Sequence, residues 1–98
     1  MFRVRYARAA LEHLGAVRAY DRTRILDDID EQLAVEAITE TARRKILPGA
    51  TPSFEHLAPL WQLRVGEFRV FFDVDGPART VVVRAVLHKG HKTTGEIL

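Results

Sequence analysis

The segment Trp61-Gln62-Leu63-Arg64-Val65-Gly66-Glu67-Phe68-Arg69-Val70-Phe71-Phe72 constrains this chain more than any other. Two alternating apolar runs flank the pair Gly66-Glu67, and a Gly-X pair between such runs predicts a two-residue hairpin closed by a type II′ turn, whose first central residue needs positive φ. That turn sets Val65 against Phe68, Leu63 against Val70 and Trp61 against Phe72 on one sheet face. On the other face it sets Arg64 directly opposite Arg69. Like charges facing each other across a ladder cost up to ~1 kcal/mol, so the pair points to an anion held above it.

A third strand follows. Asp75-Gly76-Pro77-Ala78 supplies a turn and Thr80 to Leu87 a β-branched run, completing a three-stranded antiparallel meander. A four-residue loop closing at Val74 and Arg79 predicts Phe72 opposite Val81, Val70 opposite Val83 and Arg69 opposite Arg84. Arg64, Arg69 and Arg84 then form a row across three strands, with His88 on the same face. The opposite face, carrying Trp61, Leu63, Val65, Phe68, Val70, Phe72, Val81, Val83, Ala85 and Leu87, is the expected core. Phe71, Val82 and Val86 are left as an uncovered apolar strip beside the arginines, as an interaction surface would be.

Upstream, Phe2, Val4 and Tyr6 alternate with Arg3 and Arg5, the pattern of a half-buried strand. The period then changes to that of a helix: Leu11, Leu14, Val17 and Tyr20 share one face, and after a short junction Ile25, Ile29 and Leu33 form a second stripe behind Asp21, a candidate cap. The two helices are expected to form an antiparallel hairpin on the core face of the sheet. Asp27, Asp28, Asp30 and Glu31 read as a solvated helix surface. Pro48, Gly49, Pro52 and Pro59 make residues 35 to 60 mostly loop, within which Arg43-Arg44-Lys45 is a basic triplet followed by Ile46 and Leu47, a helical turn or a short extended piece.

At 98 residues the chain is long enough for one α+β domain, residues 1 to 98, with one modest core. No apolar run approaches the roughly 18 residues of a membrane span, and the N-terminus reads as a strand rather than a signal peptide, so a cytoplasmic chain is expected. Cysteine is absent, which excludes disulfides, thiolate metal sites and cysteine nucleophiles. His88 and His91 supply only half a zinc shell, and no metal or other cofactor is expected. The net charge of +2 favours an anionic partner.

The run Leu63-Arg64-Val65-Gly66-Glu67-Phe68-Arg69-Val70, followed by a turn, a valine-rich strand and His88-Lys89, resembles the RelE/ParE superfamily of toxins from bacterial type II toxin–antitoxin systems, which include plasmid-stabilisation systems. The order of elements agrees over nearly the whole length. The resemblance implies a RelE-like fold: an N-terminal strand, a helical hairpin and a three-stranded meander with helices on one sheet face. For RelE-type members it implies an mRNA interferase, a metal-independent endoribonuclease in which the RNA 2′-hydroxyl attacks the adjacent phosphate. Arg69 then matches the arginine at the scissile phosphate, and Arg64 its neighbour. The family's lysines before Arg64 fall here on Leu60 and Gln62, and the tail lacks RelE's tyrosine. His88 or His91 is the candidate replacement for proton transfer.

Arg84, Lys89, Lys92, Arg44 and Lys45 are the further candidates for RNA contact. The implied partners are a small cognate antitoxin and, for a nuclease, the ribosome and its mRNA. A ParE-like alternative inhibits DNA gyrase through protein contact, and a third possibility is an inactive relative that only binds the antitoxin.

Overall fold

The computed structural model describes all residues 1–98. The elements run β1 (Arg3–Tyr6), α1 (Arg8–Ala16), α2 (Ala19–Glu36), β2 (Arg44–Leu47), β3 (Leu60–Val65), β4 (Phe68–Asp75), β5 (Thr80–His88) and α3 (Thr94–Ile97). The strands form one sheet in the order β1-β5-β4-β3-β2. The meander of β3, β4 and β5 is antiparallel, as expected, and is extended at both edges: β1 pairs with β5 in parallel, and β2 with β3 antiparallel. Of the two forms expected for the basic triplet the extended one holds: Arg44 and Lys45 lie in an edge strand and Arg43 beside it.

Each helix turns a narrow apolar stripe onto the same sheet face. Ala10 and Leu14 of α1 and Ile25, Ile29 and Leu33 of α2 pack with Trp61, Leu63, Val65, Val70, Phe72, Val81, Val83 and Val86 in the main core. Leu11 and Tyr20, expected on that stripe, are 57% and 75% exposed, and Ala10 takes the buried position instead. Asp21 lies in the first turn of α2 rather than at its cap, which is Arg18. The α1–α2 corner is held by Arg22, whose guanidinium donates to Leu14 O at 2.8 Å and Val17 O at 2.9 Å, satisfying carbonyls that the end of α1 leaves free.

The first hairpin has the register that the Gly66 turn dictates, with Arg64 opposite Arg69, Leu63 opposite Val70 and Trp61 opposite Phe72. Gly66 has φ +57°, the value a type II′ turn requires at its first central residue. The second hairpin differs from expectation. It closes one residue later, at Asp75 and Thr80, and carries a β-bulge: Phe72 faces Val83, Phe71 faces Ala85, and Arg84 has no partner. One extra residue reverses the sheet face of everything beyond it. Ala85 and Leu87 therefore leave the helix-covered core for the far face, while Val86 enters that core.

The expected arginine row fails at the same point, because Arg69 pairs with Leu87 and not with Arg84. Arg84 instead bonds the buried Asp73 carboxylate through Nε at 2.7 Å and Nη2 at 3.3 Å. Asp73 also accepts from Leu57 N at 2.8 Å, which ties the 48–60 loop to the sheet. That loop and the C-terminus cover the strip predicted to be open: Phe54, Leu47, Ala50, Ile97 and Leu98 pack on Leu60, Phe71 and Ala85, and Phe71 is fully buried. The middle of the sheet is thus covered on both faces, while the end that carries Arg64 and Arg69 stays open, as does the β1 edge with Arg3 and Arg5.

Breaking the Asp73–Arg84 pair from one side leaves a cation without its partner in a largely dehydrated position. Asp73→Ala is expected to cost ~3–5 kcal/mol, whereas Asp73→Leu combined with Arg84→Met retains most of the stability; urea unfolding of the variants measures both.

Candidate functional site

Strand parity decides which basic side chains meet. Residues 62, 64, 69 and 71 point away from the helices, and beyond the covered end of that face the strands floor an open cleft of about 360 Å³. Gln62 and Arg64 of β3 and Arg69 of β4 form the floor, Ala42, Arg43 and Lys45 one wall, and Lys89, Thr93 and Thr94 the other. Five cations line it and no carboxylate does.

The walls are fixed by backbone bonds to the floor. Arg64 N donates to Arg43 O at 2.7 Å, and Arg43 Nε returns a bond to Arg64 O at 3.0 Å. The Arg43 guanidinium is also paired with Asp28 of α2, so one acid of the stretch expected to be only a solvated surface anchors a cleft residue. On the other side Lys89 N donates to Glu67 O at 2.7 Å, bringing the tail back over the hairpin turn. Thr93 then caps α3 in a reciprocal box with Glu96, whose carboxyl is held below its usual range, first by the Thr93 backbone bond and then by the Thr93 side chain. Thr94 Oγ1 donates to Gln62 Oε1 at 3.0 Å, joining the tail to the floor.

Arg69 is held in place as well. Its Nη1 donates to Gly66 O and to Phe68 O, each at 2.9 Å, which folds the guanidinium back over its own turn. Burial, and secondarily the facing Arg64, lower its pKa from the ordinary arginine value, though not far enough to discharge it. An anion that bridges Arg64 and Arg69 relieves both unfavourable terms, and the guanidinium plane can grip two oxygens of one phosphate.

The structure brings together Arg64, Arg69, Lys45 and Lys89 from the sequence-derived candidates. It does not bring the others. Arg44 is 2% exposed and faces α2 and the turn that follows it, with Nε donating to Thr39 O of the turn at 2.7 Å and Nη1 to Gln32 O of the helix. Arg84 is committed to Asp73. The bulge turns His88 to the face of Phe68, with ring centroids 5.2 Å apart, and its Nε2 lies 3.1 Å from Glu67 Oε2. His91 and Lys92 are exposed and line no part of the cleft.

Arg43, Gln62, Thr93 and Thr94 are cleft residues that the sequence reading did not single out. For Arg43 a signal existed: Ile46 anchors β2 to the core, so period two places Arg44 on the core side and Arg43 with Lys45 on the other. Nothing local in the sequence announces the tail residues, which arrive through Gly90 at φ +55° and the Thr93 cap.

No helix is long and apolar enough to cross a membrane. The architecture is a RelE-like α+β fold. An archaeal RelE–RelB complex from Pyrococcus horikoshii OT3 is similar with a TM-score of 0.71 at 20% identity, over 92% of this chain and 97% of that one. The toxin–antitoxin complex RelBE2 from Mycobacterium tuberculosis gives 0.71 at 22% identity, over 89% and 96%. The isolated E. coli RelE toxin gives 0.62 at 16%, over 96% and 89%. No curated protein matches the sequence. The family model described as the ParE toxin of type II toxin–antitoxin system, parDE, matches residues 4–92, and the chain belongs to that family within the RelE/ParE superfamily. It is the toxin component of a toxin–antitoxin system.

Gly66 sets the position of both floor arginines. A Cβ there meets the Arg24 guanidinium at 2.7 Å, in addition to the strain of φ +57°. Gly66→Ala is expected to lose ~1–2 kcal/mol in urea unfolding, and adding Arg24→Ala recovers only the steric part, since the backbone strain remains.

Proposed function

We propose that the cleft binds the phosphodiester backbone of RNA and that the toxin is a metal-independent endoribonuclease acting on mRNA at the ribosome. The observation that carries this reading is the convergence of Arg43, Lys45, Arg64, Arg69 and Lys89 on one cleft with no carboxylate among them. A polyanion is the ligand such a surface attracts most strongly, and each phosphate neutralised releases counterions.

In this reading the RNA 2′-oxygen attacks the adjacent phosphorus, its proton passing to a base. The bond from phosphorus to the 5′-oxygen breaks, and that oxygen takes up a proton. Arg69 and Arg64 hold the non-bridging oxygens as negative charge grows on them, the contribution that preorganised donors make best. Arginine stays protonated in proteins, so proton transfer within the cleft falls to Lys45 and Lys89, one on each wall. This replaces the histidines as the candidate acid and base. His88 lies on the other sheet face, paired with Glu67.

The toxin's partner in the cell is proposed to be a small antitoxin; the relatives from Pyrococcus and Mycobacterium are each recorded in complex with one. Its docking surface is not the Phe71, Val82 and Val86 strip, because Phe71 and Val86 are buried. A second reading, inhibition of DNA gyrase by protein contact, is favoured by the ParE family match and by the position of the histidines outside the cleft.

The two readings separate on expression in cells followed by parallel assays of translation and DNA supercoiling. The nuclease reading expects cleaved ribosome-bound mRNA with supercoiling intact; intact mRNA with gyrase-trapped DNA breaks overturns it. Arg69→Ala is expected to lower cleavage by about 30- to 1,000-fold, ~2–4 kcal/mol of transition-state energy, with thermal stability retained. Arg44→Ala, by contrast, is expected to reduce activity only through loss of folding, visible as a lowered Tm.

A further inference from the structure

Gln62 is the one uncharged residue in the floor of a cleft lined by five cations. The residue is 5% exposed, and its carboxamide is held from one end: Thr94 Oγ1 donates to Oε1 at 3.0 Å. Thr94 is itself fixed as the first residue of α3, behind the Thr93–Glu96 capping box. No buried side-chain nitrogen or oxygen lacks a partner and Nε2 makes no hydrogen bond within the chain, so Nε2 retains access to solvent in a residue that lines the cleft. The hydroxyl of Thr93 is occupied as the acceptor from Glu96 N. A neutral donor of fixed direction adds little to the grip on a phosphate beside five cations. It discriminates instead among neutral acceptors close to that phosphate.

Resting on the RNA reading of the cleft, we propose that Gln62 is a specificity-determining residue: its Nε2, oriented by Thr94, donates to the keto oxygen of the nucleobase adjoining the phosphate held by Arg64 and Arg69. Uracil offers O4 at the position where cytosine carries an amino donor, and guanine offers O6 where adenine carries one. A donor aimed at that position, O4 of uracil or O6 of guanine, therefore selects these two bases over cytosine, whose O2 and N3 acceptors lie elsewhere on the ring, and over adenine. The substrate class is single-stranded RNA, whose unstacked bases can turn an edge into a cleft, whereas a base-paired keto group is already occupied.

The test is equilibrium binding of purified toxin to 2′-O-methylated oligo(U) and oligo(C) of equal length, which cannot be cleaved. The wild type is expected to bind oligo(U) about five-fold more tightly, the weight of roughly one hydrogen bond. Thr94→Val frees the carboxamide and should shrink the preference to under about two-fold while leaving the salt dependence unchanged, since the phosphate contacts are untouched. Gln62→Glu, which replaces the donor with an acceptor, should reverse the order. Circular dichroism identifies any variant that fails to fold, and the wild-type comparison needs no variant. Equal affinity for the two oligomers, or preference for oligo(C), overturns the role of Gln62 while leaving RNA binding standing. Binding of neither overturns the RNA reading and this inference with it.

Discussion

The β-bulge at Arg84 is the constraint on which the rest of the structure depends. By adding one residue to β5 it lets Val81 and Val83 face the helices before the bulge and Val86 face them after it, so the main core stays continuous along a strand whose parity has changed. The bulge leaves polar groups that must be matched. Val86 N finds His13 Nδ1 of α1 at 3.1 Å, and the Arg84 side chain finds the buried Asp73 carboxylate. A carboxylate in that position is tolerable only because three donor bonds reach it, two from Arg84 and one from Leu57. The same arrangement binds α1 to the sheet on one face and the 48–60 loop on the other.

The site follows from where that covering stops. The 48–60 loop and the C-terminal Ile97 and Leu98 close the far face over Phe71 and Ala85, but not over Arg64 and Arg69. Packing a loop over two facing guanidiniums strips water from both without supplying a counter-charge, which costs more than the apolar area beside them returns. The tail therefore passes along the side of the arginines and lays down Lys89, Thr93 and Thr94 as a wall. The protein thus keeps a strip of unfavourable like charge open to solvent. Such a strip is stabilised by the ligand that neutralises it, an ordinary consequence of linkage between binding and folding.

Much of this was legible in the sequence, and several of the failures lie in one strand. The Gly66 turn, the Arg64–Arg69 register, the two helical stripes and the three-strand meander could be read because one face of each element is apolar and the other polar, so that parity carries information. Val81-Val82-Val83-Arg84-Ala85-Val86-Leu87 lacks that contrast. A strand covered on both faces is apolar at both parities, so a bulge within it leaves no local mark. The changed faces of His88, Ala85 and Leu87 trace to that one residue, whereas Arg84 is already carried away from Arg69 by the hairpin closing one residue later. Arg44 is a separate case: Ile46 two positions on declares the inward side of β2, and the basic triplet alternates along a strand rather than forming one cluster. The covering of Phe71 by Phe54, Ile97 and Leu98 joins segments distant in sequence, beyond the reach of any local pattern.

The central claim is that Arg64, Arg69, Lys45 and Lys89 act as one anion site while Arg44 and Arg84 belong to the fold. Side-chain NMR of the arginine, lysine and histidine N–H groups, followed during titration with a short uncleavable RNA, tests it most directly. The account predicts that the signals of Arg64, Arg69, Lys45 and Lys89 shift together with a single saturation curve, while those of Arg44, Arg84 and His88 stay where they are. Shifts that centre on His88, His91 and Lys92, or that spread over the surface without saturating, would contradict it.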